Sequence, residues 1–213
     1  MRKGIIFDLD GTLWDSSEAV TDSWNEVLDG IPGNRYHMTT ELMQSLMGKT
    51  MDEIAYAFLD KETPERALEL LAKCMDHEND YIRSHGGSLY EGLRETLEIL
   101  HEEYFLAIVS NCQDGYIQAC LSYHRFGDLI DDYESFGGTG LLKADNIKLV
   151  VERNKLDRAV YVGDVMGDYN STMEAGLPFI HAAYGFGKVP EGTPAIKDLR
   201  DLPMFINESG ILG

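Results

Sequence analysis

Asp8 and Asp10 stand two residues apart in the run IIFDLDGTLWDS, directly after a short apolar stretch. Ser110 and Asn111 follow YFLAIV, Asp164 and Asp168 follow AVYVG, and Lys143 sits in the loop before the helix that precedes AVYVG. Apolar runs of this length, ending at a polar residue, read as strands buried on both faces of a parallel sheet. Such sheets collect their chemistry at the carboxyl ends of the strands. Four carboxylates, a hydroxyl and an ammonium are therefore expected in one crevice. Two unit charges about 4 Å apart repel by roughly 4 kcal/mol at an effective dielectric near 20, so the crowded carboxylates call for a cation. Oxygen donors without His or Cys suit a hard ion, and Mg²⁺ takes one or two carboxylates together with water and substrate phosphate. That chemistry is phosphoryl transfer.

The elements that must position these residues alternate between strand and helix. GIIF, YFLAIV, AVYVG and LPFIHAA read as strands. GLRETLEILHEE, GYIQACLSYH, ADNIKLVVERN and GDYNSTMEAG carry apolar residues at helical spacing, the last stopping at Gly176. This is the alternation of an α/β fold, a Rossmann-like doubly wound parallel sheet. Residues 16–85 break the rhythm. They contain amphipathic segments such as EAVTDSWNEVLDG and a long one opening at Thr63-Pro64, an N-cap followed by Pro at the first helical position. The expectation is an all-helical domain over 16–85, inserted after the first strand of a core formed by 1–15 and 86–213. The polar stretch 15–17 and the Gly86-Gly87 pair are its two connections.

The chain of 213 residues is 44% hydrophobic, enough to bury a core without staples. Its 18 Lys and Arg against 37 Asp and Glu give a formal charge of −19, which excludes general attraction to nucleic acid or an anionic membrane. Three Cys without metal spacing read as free thiols. With no signal-like or spanning apolar segment, the sequence reads as that of a soluble, cytoplasmic protein. Its oligomeric state is not encoded in any pattern found.

The order DLDGT, VSN, the Lys of LLKAD and GDVMGD resembles the haloacid dehalogenase superfamily, in its subgroup with a helical cap inserted after the first strand, which includes phosphoglycolate phosphatase-like enzymes. The resemblance implies a Mg²⁺-dependent phosphatase of a small phosphorylated metabolite. Asp8 would be the nucleophile that forms an aspartyl-phosphate and also a metal ligand. Asp10 would be the acid and base, its backbone carbonyl on the metal. Thr12 would fix the loop beside the substrate, Ser110 and the Asn111 backbone N–H would hold a phosphoryl oxygen, and Lys143 would pair with Asp8. Asp164 would ligate the metal and Asp168 would ligate or orient. Lys143 is followed by Ala where many capped members have Pro, which leaves Lys148 as the alternative. In capped members a loop dips from the cap toward the site; here it would carry Gly48, Lys49 and Thr50 and place Lys49 near the substrate. A β-phosphoglucomutase-like mutase would use the same core residues, a phosphonate-cleaving enzyme would need a cap Lys such as Lys49, and an idle regulatory member would keep the fold alone.

Competing readings of these motifs are weaker. An EF-hand starting at Asp8 would need Gly where Leu13 stands and Glu where Ala19 stands. MGKT at 47–50 lacks the earlier Gly of a phosphate loop, its place being taken by Met43. Cys112 has no placed His partner and reads as a buried thiol. Trp14, Trp24, Tyr56 and Phe58 read as packing within the cap or at its hinge, with Trp14 the one placed to touch substrate.

Overall fold

The computed structural model describes residues 1–213. In chain order the elements are β1 (Lys3–Phe7), β2 (Trp14–Asp15), α1 (Ser17–Asp29), α2 (Thr40–Leu46), α3 (Met51–Phe58), α4 (Pro64–His85), β3 (Ser88–Leu89), α5 (Leu93–His101), β4 (Phe105–Ser110) and α6 (Tyr116–His124). There follow β5 (Asp132–Ser135), α7 (Phe136–Thr139), α8 (Lys143–Arg153), β6 (Arg158–Gly163), α9 (Met166–Ala175), β7 (Phe179–Ala182), β8 (Ala195–Ile196) and α10 (Leu202–Ser209).

Six strands form one sheet in the order β5-β4-β1-β6-β7-β8, and every pairing in it is parallel. Successive side chains of a strand point to opposite faces, and both faces here are apolar. Ile5, Phe7, Leu106, Ile108, Val160 and Val162 point to one side, where Leu97, Leu100, Ile117 and Ile206 cover them. Ile6, Ala107, Val109, Ala159 and Tyr161 point to the other, against Ile147 and Val150 of α8. The doubly wound α/β sheet expected from the sequence is present, widened by two strands the sequence did not announce. β5 reads DYES and is polar, and β8 is two residues long.

Between β1 and β4 the chain forms four helices from Ser17 to His85, at the four amphipathic segments. Thr63 caps α4 by accepting from the Arg66 N–H, as its sequence predicts. A two-stranded antiparallel ribbon closes the base of this insertion: Trp14 pairs with Leu89 and Asp15 with Ser88. The connections expected at 15–17 and 86–87 thus lie side by side. The apolar interior of the helices (Val20, Trp24, Ile54, Leu71, Ile82) is continuous with the first face of the sheet.

Gly86 occupies φ +69°, ψ −160°, a region effectively reserved for Gly, and a Cβ there would overlap the Tyr123 ring. Gly86→Ala is expected to lower unfolding free energy by about 1–3 kcal/mol. Urea denaturation measures this; an unshifted midpoint would contradict the geometry given for the root of the insertion.

Candidate active site

β4, β1 and β6 are neighbours, and neighbouring strands lie about 4.8 Å apart. Their carboxyl ends therefore present Ser110, Asp8 and Asp164 side by side. All three are buried. Asp8 Oδ1 accepts from Lys143 Nζ at 2.8 Å, and the same ammonium donates to Asp168 Oδ1 at 2.6 Å. Lys143 is the first residue of α8 rather than part of the loop before it, a correction to the sequence reading. A cation at a helix N-terminus meets an unfavourable dipole, and the two carboxylates offset it. Burial alone would lower the Lys143 pKa, but Asp168 and Asp8 hold it well above its ordinary value. Lys148 is exposed and bonds Asp145, so the ammonium brought to Asp8 is that of Lys143.

Asp168 stands in the first turn of α9, where Oδ2 accepts the backbone N–H groups of Asp164 and Val165, both at 3.1 Å. With Oδ1 on Lys143, both oxygens are engaged. Asp164 differs. Phe186 N–H donates to Oδ2 at 2.7 Å, but buried Oδ1 has no partner. One oxygen from each of Asp8, Asp164 and Asp168 lies within 4.8 Å of the others. An orphaned buried carboxylate oxygen inside an all-oxygen cluster fits a hard divalent cation. Burial first, and Asp168 next, raise the Asp8 pKa to about 7 despite Lys143. Burial with the charges of Asp168 and Asp8 raises Asp164 to about 8.

Asp10 is held by a clamp that sequence reading missed. Its Oδ1 accepts from Trp14 Nε1 at 2.9 Å, Ser16 Oγ at 2.5 Å and Tyr116 Oη at 3.0 Å. Three donors on one oxygen fix the plane of the carboxyl, and Oδ2 accepts no hydrogen bond. Burial raises the Asp10 pKa, and the Ser16, Tyr116 and Trp14 hydrogen bonds pull part of it back. Trp14 and Ser16 sit in the same run as Asp10, four and six residues on, so a signal was available; Tyr116, from α6, had none. Gly11 makes the turn at φ +78°, a conformation only Gly adopts freely. Thr12 is fully buried, and its hydroxyl lacks a partner. It belongs to the interior of the loop and lines neither cavity described below.

The insertion reaches this cluster through residues 47–50. Asn111 Nδ2 donates to Gly48 O at 2.9 Å, and a Cβ on Gly48 (φ +83°) would lie 2.7 Å from Val165 Cγ2. A narrow chamber with about 40 Å³ of free space lies on one side of this contact. Asp8, Asp10, Ser110 and Asn111 form its floor; Val20, Trp24, Met43, Ile54 and Glu78 form its roof. A larger open cleft on the other side is lined by Lys143, Val165, Met166 and Phe186. Lys49 is exposed and borders both. Cys74, Cys112 and Cys120 are buried free thiols, and burial raises the Cys112 pKa, so it is no thiolate nucleophile. No helix is long and apolar enough to cross a membrane.

Residues 5–182 match the family described as haloacid dehalogenase-like hydrolase. The chain is similar to the phosphoglycolate phosphatase of Rhodobacter capsulatus, 29% identical over 205 residues, covering 89% of this chain and 88% of that one. It is 28% identical over 198 residues to the phosphoglycolate phosphatase of Vibrio vulnificus (strain YJ016), covering 86% and 85%. Its fold superposes with a TM-score of 0.80 on a predicted phosphatase from Clostridium acetobutylicum, at 21% identity over 98% of this chain and 99% of the other.

The raised carboxyls make stability depend on pH. In metal-free protein, Asp8 and Asp164 bind protons more tightly folded than unfolded. Their stabilising contribution is present near about pH 4 and is lost as pH rises through about 7 and about 8. A divalent cation displaces those protons, so its own stabilisation grows over the same window. Thermal unfolding in Mg²⁺ and in EDTA is expected to give a Tm gap that is narrow near about pH 6 and wide near about pH 9, each about one unit outside the interval between the two values. A gap that stayed constant or narrowed would show that no cation competes with protons here.

Proposed function

The chain belongs to the haloacid dehalogenase-like hydrolases and is a phosphoric monoester hydrolase; on that premise we propose that it is a Mg²⁺-dependent phosphatase of a small phosphorylated metabolite, working through an aspartyl-phosphate on Asp8. The observation that carries the reading is the contrast within one buried carboxylate: Asp8 Oδ1 is held by Lys143, while Oδ2 accepts no hydrogen bond and borders the chamber. The relatives named phosphoglycolate phosphatase support the class of substrate.

In this reading residues 16–85 are a cap over a core formed by 1–15 and 86–213. Asp8, Asp164 and the Asp10 backbone carbonyl would hold Mg²⁺, which would neutralise the carboxylates and the incoming phosphoryl group. Asp168, with both oxygens engaged, orients Lys143 and the loop at Asp164. Asp8 Oδ2 attacks phosphorus as the ester bond to the alcohol breaks, and the protonated Asp10 Oδ2 gives its proton to the departing oxygen. Asp10, now a carboxylate, takes a proton from the water that attacks the aspartyl-phosphate, releasing phosphate and restoring Asp8. Ser110 and the Asn111 N–H support a phosphoryl oxygen, and Lys143 offsets charge on Asp8 and the transferring group. The Asn111–Gly48 contact holds the cap closed over the site, where excluded water protects the intermediate. Lys49, at the border of the chamber, meets the substrate as it enters.

Phosphate release from an aryl phosphate is expected to need Mg²⁺, to cease in EDTA and to be absent in Asp8→Asn; full activity in that variant would sink the nucleophile assignment. Tyr116→Phe removes one donor that lowers the Asp10 pKa. It is expected to shift the pH–rate limb controlled by Asp10 upward and to lower kcat by about tenfold. An unmoved limb would mean that the clamp does not govern Asp10.

A further inference from the structure

The roof of the chamber carries a charged group that phosphoryl transfer leaves unused. Glu78 lies on α4, in the buried stripe of Leu71, Cys74 and Ile82, and is 3% exposed. Trp24 Nε1 donates to Oε2, and Gln113 Nε2 donates to Oε1 at 2.9 Å. Both donors are neutral, and the nearest charge acting on Glu78 is that of Asp10, which repels it. A carboxylate offers about four lone-pair sites, and two are used. A buried carboxylate without a counter-charge is costly unless it takes up a proton or a cation. Burial has accordingly raised the Glu78 pKa to about 7.

The surroundings also favour a cation. Trp24 and Tyr116 line the chamber, Trp24 with its N–H edge toward Glu78, and neither brings a competing positive charge. Val20, Met43 and Ile54 supply an apolar wall for a short carbon chain. The chamber's other charged groups are Asp8 and Asp10 in the floor and Lys49, which is exposed at its border. The net charge of −19 draws cations toward the mouth.

We propose that Glu78 is a specificity-determining residue of this hydrolase, selecting phosphomonoesters whose alcohol carries a positively charged nitrogen and discriminating against alcohols that carry a carboxylate. The phosphoryl group sits at Asp8 and Ser110, the carbon chain spans the apolar wall, and the nitrogen meets the free lone pairs of Glu78. The bonds formed and broken are those of the hydrolysis above. The inference rests on the phosphatase reading and adds the class of leaving group to it.

Three esters of similar size separate the possibilities: O-phosphoethanolamine, the nearly isosteric n-propyl phosphate, and phosphoglycolate. For the wild-type protein with Mg²⁺, kcat/KM is expected to be about tenfold or more higher for O-phosphoethanolamine than for n-propyl phosphate, and lowest for phosphoglycolate. Glu78→Gln keeps the shape and an acceptor oxygen. It is expected to bring the first two esters to within about twofold of each other, by lowering kcat/KM for O-phosphoethanolamine about tenfold more than for n-propyl phosphate. Equal loss on both esters would make Glu78 a structural brace and overturn the proposal. So would a wild-type preference for phosphoglycolate or for the neutral ester, a ranking that decides by itself should the variant not fold. The aryl phosphate separates the two levels. Its turnover combined with the wrong ranking defeats this inference alone, whereas no turnover defeats the phosphatase reading and this inference together.

Discussion

The interaction on which the site depends is the ammonium of Lys143 shared between Asp8 and Asp168. Adjacent parallel strands deliver Asp8 and Asp164 to the same small volume, and the first turn of α9 adds Asp168. Burial first, and then the negative charge that one buried cation leaves uncompensated among three carboxylates, make Asp8 and Asp164 hold their protons well above the ordinary carboxylate range. A buried, all-oxygen cluster short of positive charge fits a hard divalent cation.

The same constraint explains why the insertion is rooted where it is. One oxygen of Asp10 is pinned by Trp14, Ser16 and Tyr116, and the other accepts no hydrogen bond, which suits the acid–base role proposed for it. Trp14 belongs to the ribbon that closes the base of the insertion, Ser16 directly precedes α1, and Tyr116 opens α6 of the core. Asp10 is therefore fastened to the joint between the two parts of the chain. A movement of the insertion about this ribbon would be felt at Asp10 through the hydrogen bonds that set its orientation and proton affinity.

How much of this was legible depended on whether a residue's partner lay within reach of a local pattern. Asp8, Ser110 and Asp164 were readable because each ends a strongly apolar strand, and strand ends of a parallel sheet converge by topology alone. β5 was not, since its DYES sequence is that of an edge strand with charged side chains, paired on one side only. Lys143 was assigned to the loop because the helical pattern was read from ADNIKLVVERN onward; the two carboxylates that hold its ammonium, Asp8 after β1 and Asp168 in α9, are distant in sequence. Tyr116 and the Asn111–Gly48 contact join segments 63 to 106 residues apart, and no spacing rule spans such distances. Glu78 was a missed local signal: a carboxylate where the helical period of α4 calls for an apolar residue.

Chemistry and selection come from different parts of the chain because they answer to different constraints. The reacting groups need positions fixed to a fraction of an ångström, and the rigid central strands provide this, with both faces packed. The chamber proposed to take the leaving group is lined by side chains of α1, α2, α3 and α4, which are joined by loops and hold their places by apolar packing. Substitutions at Val20, Met43 or Ile54 reshape the chamber without touching a strand end. Glu78 is the exception, because Gln113 binds it from the core side. The roof's one buried charge is thereby tied to the floor, and the choice of leaving group is coupled to how the two halves of the chamber meet.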